Sequence, residues 1–312
     1  MRTSNDGKIE VVDATRLRDS LQCLRLYYWS HERNIQPIKP RLPLIHGSAV
    51  HASLAAHYEG QPAGLCLAEY EKIYETEFLP FQQEQSLLGE AGQDDPKRNP
   101  VRWMKVFMLY RQFYQNEPFT VVGKPESPFL LPVSDDLAFG GVVDLMINYC
   151  NQIMVMDHKT AAYLGQSYYD SFNPNHQFSL YLLAANELIK PEKPITTLLV
   201  NCILSHATQM KPESLFTRVP TIRSPEQLKQ SKEELIGWWT GVVRNCRATC
   251  NWPRNDDRCQ RWAGGCSYHS LCTELTVDYR KLIPSKSQFI ERQWDPIRQL
   301  REAGLKIGEE AK

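Results

Sequence analysis

The chain has 312 residues, 42% hydrophobic and 23% charged, with 36 Lys and Arg balancing 36 Asp and Glu. This composition excludes a disordered or low-complexity chain, and zero net charge argues against a protein that coats DNA through a broad basic surface. No apolar run is long enough to span a bilayer and no signal peptide is recognisable, so no membrane contact is expected. A reducing cytoplasm, of a bacterial, archaeal or phage-infected cell, is the expected compartment.

In chain order, residues 1–12 read as a flexible lead and residues 14–26 as a helix. Helices follow at 47–58, 65–79 and 101–115, the last two joined by a polar loop at 89–100. Residues 119–133, 137–148 and 153–160 read as strands, and 176–189 as a helix. Asn173 is expected as the cap of that helix and Pro174 as its first residue. Strands are expected at 195–204 and 215–219, then a helix at 225–249, a Cys-containing segment at 250–272 and a tail at 284–312. Leu300, Leu305 and Ile307 give that tail scattered apolar anchors. The expected fold is α/β, a short mixed sheet flanked by helices. The motifs interlock across most of the chain, so one domain over 13–283 is expected.

The chemistry concentrates in the two strands around residue 150. Two apolar runs, Val142-Val143-Asp144-Leu145-Met146 and Met154-Val155-Met156-Asp157-His158-Lys159, flank a short polar break. That is a hairpin signal. A symmetric turn centred between Cys150 and Asn151 opposes Asp144 and Asp157 across the strands, about 5 Å apart at Cβ. Period-two alternation puts Lys159 on the face of Asp157. Opposed carboxylates destabilise a sheet unless something positive lies between them, and a divalent cation suits oxygen ligands.

Gly141-x-x-Asp144 and Asp157-x-Lys159-Thr160 resemble the PD-(D/E)XK nuclease superfamily, in its RecB-type branch. Two further motifs fit that branch: Gly47-Ser48-Ala49-Val50-His51 upstream and Gln177-Phe178-Ser179-Leu180-Tyr181 downstream. The resemblance implies a restriction-endonuclease-like fold and a site that hydrolyses phosphodiesters. It makes His51, Asp144 and Asp157 ligands of Mn²⁺ or Mg²⁺, the imidazole favouring Mn²⁺. Lys159 would orient the attacking water or stabilise developing charge, and Gln177 and Tyr181 would hold the DNA backbone or Lys159. Glu126 stands where many RecB-type members carry a Glu, and reads equally as a surface carboxylate. His57 and His158 lie near the motifs but outside them.

Nine Cys, an odd and unevenly spaced set, do not form a disulfide framework. Cys259-x6-Cys266-x5-Cys272 lies in a segment rich in Gly, Asn, Asp and Trp, which suggests a metal or cluster site. The arrangement resembles iron–sulfur nucleases of the RecB branch, including the CRISPR-associated prespacer exonuclease and AddB-type nuclease domains. One Cys precedes the nuclease core there and three follow it. The matching early residue is Cys23, in Cys23-Leu24-Arg25-Leu26-Tyr27-Tyr28. A 4Fe–4S cluster on Cys23, Cys259, Cys266 and Cys272 is what the resemblance implies, in a cap built from both chain ends. Zinc is the alternative metal and Cys250 the rival ligand. Cys66, Cys150 and Cys202 are expected only to pack.

Basic residues (Lys211, Arg218, Arg223, Arg244, Arg247, Arg254, Arg258 and Arg261) lead toward the Cys segment, as a solvated surface or as a groove that tracks a strand. Trp252 and Trp262 flank the cysteines, to pack there or to stack on bases. The function expected is that of a metal-dependent DNA exonuclease. It would act on single-stranded ends, 5′-to-3′, in recombination, repair or end processing. A cap over the active face would admit a strand more easily than a duplex. The alternatives are a flap nuclease or endonuclease in a recombination or CRISPR-adaptation complex, and a non-catalytic DNA-end-binding subunit. The second is disfavoured by the intact Asp144, Asp157 and Lys159. The sequence leaves the oligomeric state open.

Overall fold

The computed structural model describes residues 9–38, 42–79, 97–205, 211–259, 265–274, 278–292 and 300. Trp262, Arg261, Leu305 and Ile307 lie outside them, as does most of the loop at 89–100. The architecture is mixed α/β, sheets flanked by helices, in two compact units. One unit comprises Pro40–Phe129 and Val142–Leu228; the other comprises Met1–Lys39, Leu130–Gly141 and Lys229–Lys312.

The strands in chain order are β1 (Glu10–Val12), β2 (Ile35–Pro37), β3 (Thr120–Val121), β4 (Ser127–Ser134) and β5 (Leu137–Val143). They continue with β6 (Leu145–Tyr149), β7 (Gln152–Ala161), β8 (Thr197–Leu204), β9 (Phe216–Ile222) and β10 (Phe289–Glu291). The first unit is built on a five-stranded sheet in the order β3-β6-β7-β8-β9, parallel only between β7 and β8. The hairpin register is the expected one, from Leu145 opposite Met156 to Tyr149 opposite Gln152. Its two turn residues, Cys150 and Asn151, both have positive φ, 51° and 60°. That is the backbone of a primed two-residue turn, whose twist matches the strands it joins.

Alternation along β7 sends successive side chains to opposite faces of this sheet. The ring of His158 lies parallel to Tyr58, at the end of the helix Leu42–Tyr58. Lys159 Nζ lies 5.7 Å from the ring of Phe178 on the helix His176–Ile189. The two helices therefore serve opposite faces of β7. Behind Leu42–Tyr58 pack the helices Ala63–Glu77 and Pro100–Phe113, with Leu54, Tyr70, Trp103 and Phe107 in one apolar core with Ile203 and Phe216 of the sheet. Asn99 caps the last of these helices by accepting from the Arg102 N–H at 2.8 Å, a contribution of about 1 kcal/mol.

In the other unit β1 runs parallel to the first half of β5, Glu10 opposite Leu137, and β2 pairs antiparallel with β10. The expected helix at 14–26 breaks at Cys23, whose backbone is extended (φ −164°, ψ 117°) between the helices Ala14–Gln22 and Leu24–Tyr27. The expected helix at 225–249 is interrupted by a π-helical turn at Trp238–Val243. Arg247 joins Glu10 and Glu32 at 2.5 and 2.8 Å, and Arg244 joins Asp136 at 2.8 Å. Trp252 is buried and stacks on Tyr27, so it is packed rather than offered to bases.

Other boundaries differ: the helix expected at 47–58 begins at Leu42, β1 falls within the expected lead at 1–12, and the strand expected at 137–148 divides into β5 and β6. The helix His176–Ile189 has the expected range, but its cap is Asn175 rather than Asn173, accepting from the Phe178 N–H at 3.3 Å, and Pro174 lies before it. Asn-Pro-Asn offers two capping residues, and local sequence does not choose between them. The stretch 119–133, expected as one strand, divides into β3 and β4 around Gly123 and Glu126, both at positive φ.

Candidate active site

Asp144 stands at the break between β5 and β6, where the backbone leaves β7 after the Leu145–Met156 pair. Beyond that pair the site side chains take up groups of the β7 backbone. The N–H of His158 donates to Asp144 Oδ2 at 2.7 Å, and the carbonyl of His158 accepts from His51 Nε2, also at 2.7 Å. One peptide segment of β7 thus fixes two candidate ligands from distant parts of the chain. Donation from Nε2 leaves Nδ1 of His51 as its ligand atom, the usual arrangement for a metal-binding imidazole. Nδ1 lies 3.4 Å from Asp144 Oδ2 and 3.7 Å from Glu126 Oε1.

Glu126 reaches this position from a left-handed backbone (φ 50°), with its N–H donating to the Asp144 carbonyl at 2.8 Å. Oxygen Oε1 of Glu126 is buried without a hydrogen-bond partner among the described residues. The ligand atoms of His51, Glu126 and Asp144 all lie within 4.8 Å of one another. An orphaned carboxylate oxygen beside a second carboxylate and an oriented imidazole fits a divalent cation, and these three side chains would hold it.

Asp157, the other expected ligand, is fully buried, and its Oδ2 meets the ammonium of Lys159 at 2.7 Å. Apart from that ammonium, neither oxygen has a hydrogen-bond partner among the described residues. Lys159 itself is partly exposed. Gln177 donates to the Tyr181 hydroxyl at 3.0 Å, so the two helical residues form one polar pair. The hydroxyl of Tyr181 is held far from ionisation by burial, with the Asp144 and Asp157 charges adding to it.

Charge divides the carboxylates. Burial works against every anion here, but the imidazole of His51 outweighs it at Asp144, whose carboxyl falls well below the usual range. Burial prevails at Asp157, with Lys159 opposing it and Asp144 reinforcing it, and pushes that carboxyl up to about 6. Glu126 is raised as well, by burial. Burial disfavours the charged form of His51, but Asp144 overrides it and holds the imidazole well above its ordinary value.

All seven of these side chains belong to one unit. Glu126 reads from sequence as a surface carboxylate as readily as a ligand, because nothing local distinguishes a carboxylate in a left-handed turn. His158 falls outside the motifs, and its backbone is the anchor. The cysteines fall into groups by exposure. Cys66, Cys202 and Cys246 are buried and Cys150 and Cys250 exposed, while Cys23, Cys259, Cys266 and Cys272 are half-buried. Four of the basic residues before the Cys segment are taken up within the fold. Arg218, Arg223, Arg244 and Arg247 are all spent on internal partners.

Residues 12–273 match the family model of the PD-(D/E)XK nuclease superfamily, and the chain belongs to that superfamily. No curated protein matches the chain. Among solved structures, a protein of Eubacterium rectale named "Putative exonuclease" is similar over 82% of this chain and 86% of its own, at 10% identity and a TM-score of 0.44. The protein SSO0001 is similar over 61% of this chain and 73% of its own, at 13% identity and a TM-score of 0.25. Neither likeness decides an activity.

Proposed function

We propose that the chain is a divalent-metal-dependent deoxyribonuclease of the RecB type, an exonuclease that degrades single-stranded DNA from free ends, 5′-to-3′. The observation that carries this reading is the meeting of His51, Glu126 and Asp144 within 4.8 Å, in the chain that also pairs Asp157 with Lys159. A cation held there would lower the pKa of a bound water and neutralise charge on the phosphoryl oxygens. The protein's own groups do the rest. Asp157 holds the Lys159 ammonium, which reaches partly into solvent and orients the water against the scissile phosphate. Gln177 and Tyr181 hold the DNA backbone through their amide and hydroxyl. His51, Glu126 and Asp144 would hold Mn²⁺ or Mg²⁺, with Asp157 as a further ligand.

The second part of the proposal is a 4Fe–4S cluster on Cys23, Cys259, Cys266 and Cys272. Their shared half-burial supports it, as do their mutual effects. Burial and then Cys23 raise the thiol of Cys259. Burial brings Cys272 up to about 11 against the opposing charge of Arg25, with Cys23 and Cys266 adding to the rise. The cluster would join residue 23 to residue 272 and serve stability first. Recombination or CRISPR-adaptation proteins are the partners this branch suggests.

The deciding assay uses end-labelled DNA with Mg²⁺ and Mn²⁺ compared. Release of mononucleotides from linear single strands is expected. Equal cutting of closed single-stranded circles would turn the reading to an endonuclease, and no cutting of any DNA would leave an end-binding subunit.

A further inference from the structure

A second set of polar groups lies buried behind the candidate centre, and the mechanism above does not use it. His158, Asn201 and Arg218 are register partners on three adjacent strands, His158 with Asn201 across β7 and β8, and Asn201 with Arg218 across β8 and β9. They form one row across the sheet. Arg218 grips Glu117 with two bonds of 2.6 Å, donates to the Tyr58 hydroxyl at 3.1 Å and stacks 3.6 Å from the ring of Tyr114. Its Nε donates to Asn201 Oδ1 at 3.3 Å, which turns the amide nitrogen the other way. That nitrogen donates to His158 Nδ1 at 3.0 Å and to the Tyr110 hydroxyl at 2.9 Å. The imidazole of His158 is clamped between this amide and the parallel ring of Tyr58, 5.7 Å away.

We propose that Asn201, oriented by Arg218, is a positioning residue for the metal centre, acting through the side chain of His158 on the residue whose backbone holds His51 and Asp144. The inference rests on the reading of His51 and Asp144 as ligands. Its physical basis is that β6 has left β7 at this point. No ladder fixes that edge of β7 at His158, and its N–H and C=O are engaged by the two ligands themselves. Ligand separation therefore depends on where His158 sits, and the row is what holds its side chain. An apolar residue at 201 would fill the same space and leave the His158 ring held by Tyr58 alone. Outer-shell groups of this kind typically set metal affinity by about 10- to 100-fold.

The test is Mn²⁺ binding by titration calorimetry, with no DNA present, on wild type, Asn201→Leu and Leu228→Ala. Leu228 is buried in the same unit outside the row and controls for lost stability. Wild type and Leu228→Ala should bind alike, and Asn201→Leu about tenfold more weakly. If Asn201→Leu does not fold, Arg218→Lys decides. It keeps a charge for Glu117 but lacks the Nε–H that orients Asn201, and should also weaken Mn²⁺ binding. Equal affinities in the folded variants and wild type would overturn the positioning role and leave the centre standing. Absence of Mn²⁺ binding in wild type would remove the centre and this inference together.

Discussion

The imidazole Nδ1 of His51 and the Oδ2 of Asp144 lie 3.4 Å apart because both side chains are anchored on His158, one to its carbonyl and the other to its N–H. Two candidate ligands, from a helix and a strand break, take their separation from one residue of β7.

Asp144→Ala, Asp157→Ala and Lys159→Ala should each abolish DNA cleavage while leaving the far-UV circular dichroism unchanged. The Lys159 variant should still bind Mn²⁺, since its ammonium meets Asp157 rather than the His51–Glu126–Asp144 group. Cleavage at the wild-type rate by purified Asp157→Ala would remove that residue from the site.

Glu126→Gln keeps the shape of the side chain and removes its charge. It should weaken Mn²⁺ binding about tenfold or more, as loss of a carboxylate ligand does. Unchanged affinity in calorimetry would return Glu126 to the surface role that its sequence allows.

Asp157 makes the metal-free protein sensitive to pH. Its carboxyl rises from 3.8 to about 6 on folding, so the protonated form favours the folded state. The stability this contributes is present below 3.8 and is lost as pH rises through about 6. With chelator present, Asp157→Asn should therefore melt higher than wild type above pH 6, and the gap should shrink as pH falls toward 3.8. A lower melting temperature for the variant at neutral pH would mean that the Lys159 ion pair outweighs burial.

Protein purified without oxygen should be brown and contain iron and sulfide. Cys23→Ser, Cys259→Ser, Cys266→Ser or Cys272→Ser should bleach it and lower its solubility. Cys250→Ser should do neither, because Cys250 is an exposed left-handed cap at the end of the helix Arg244–Thr249. Colourless protein carrying one zinc per chain would make the site a structural zinc site.

Cleavage should prefer linear single strands to duplex, run faster with Mn²⁺ than with Mg²⁺, and fall steeply with added salt. A chain of zero net charge has no diffuse attraction for DNA, so its contacts must be local. Salt-independent rates would contradict phosphate contacts as the source of affinity.

The hairpin was legible because alternation and a short polar break specify a register, but its ladder ends at Leu145–Met156, so the expected opposition of Asp144 and Asp157 one step further is not a strand pair and Asp144 bonds the His158 N–H instead. The helix Leu42–Tyr58 with His51, and the pair Gln177–Tyr181, were legible through local motif and spacing. Glu126 was not, since its place depends on a left-handed backbone that a non-glycine sequence does not announce. The row of His158, Asn201 and Arg218 depends on pairing between strands that lie far apart in sequence. One signal was available. Asn201 is the sole strong polar group in Leu198-Leu199-Val200-Asn201-Cys202-Ile203-Leu204, and a buried amide in such a run must find partners. The ion pairs of Arg244 and Arg247 with Glu10 were hidden for the same reason, so a structural cluster of arginines resembled a binding surface.

The unit that carries the four cysteines draws on both ends of the sequence. Arg25 donates to the carbonyl of Trp252, Arg247 to Glu10, and Asn255 to the sulfur of Cys23. On the ribosome these partners emerge far apart in time. The unit with His51, Glu126, Asp144 and Asp157 has all its residues by Leu228, whereas the early helix at Ala14–Gln22 must wait for the last third of the chain before it can be enclosed. Its half-buried Cys23 thus remains a solvent-facing thiol throughout most of synthesis, and a nascent chain released early would hold a complete set of nuclease residues without the segment that would bind iron.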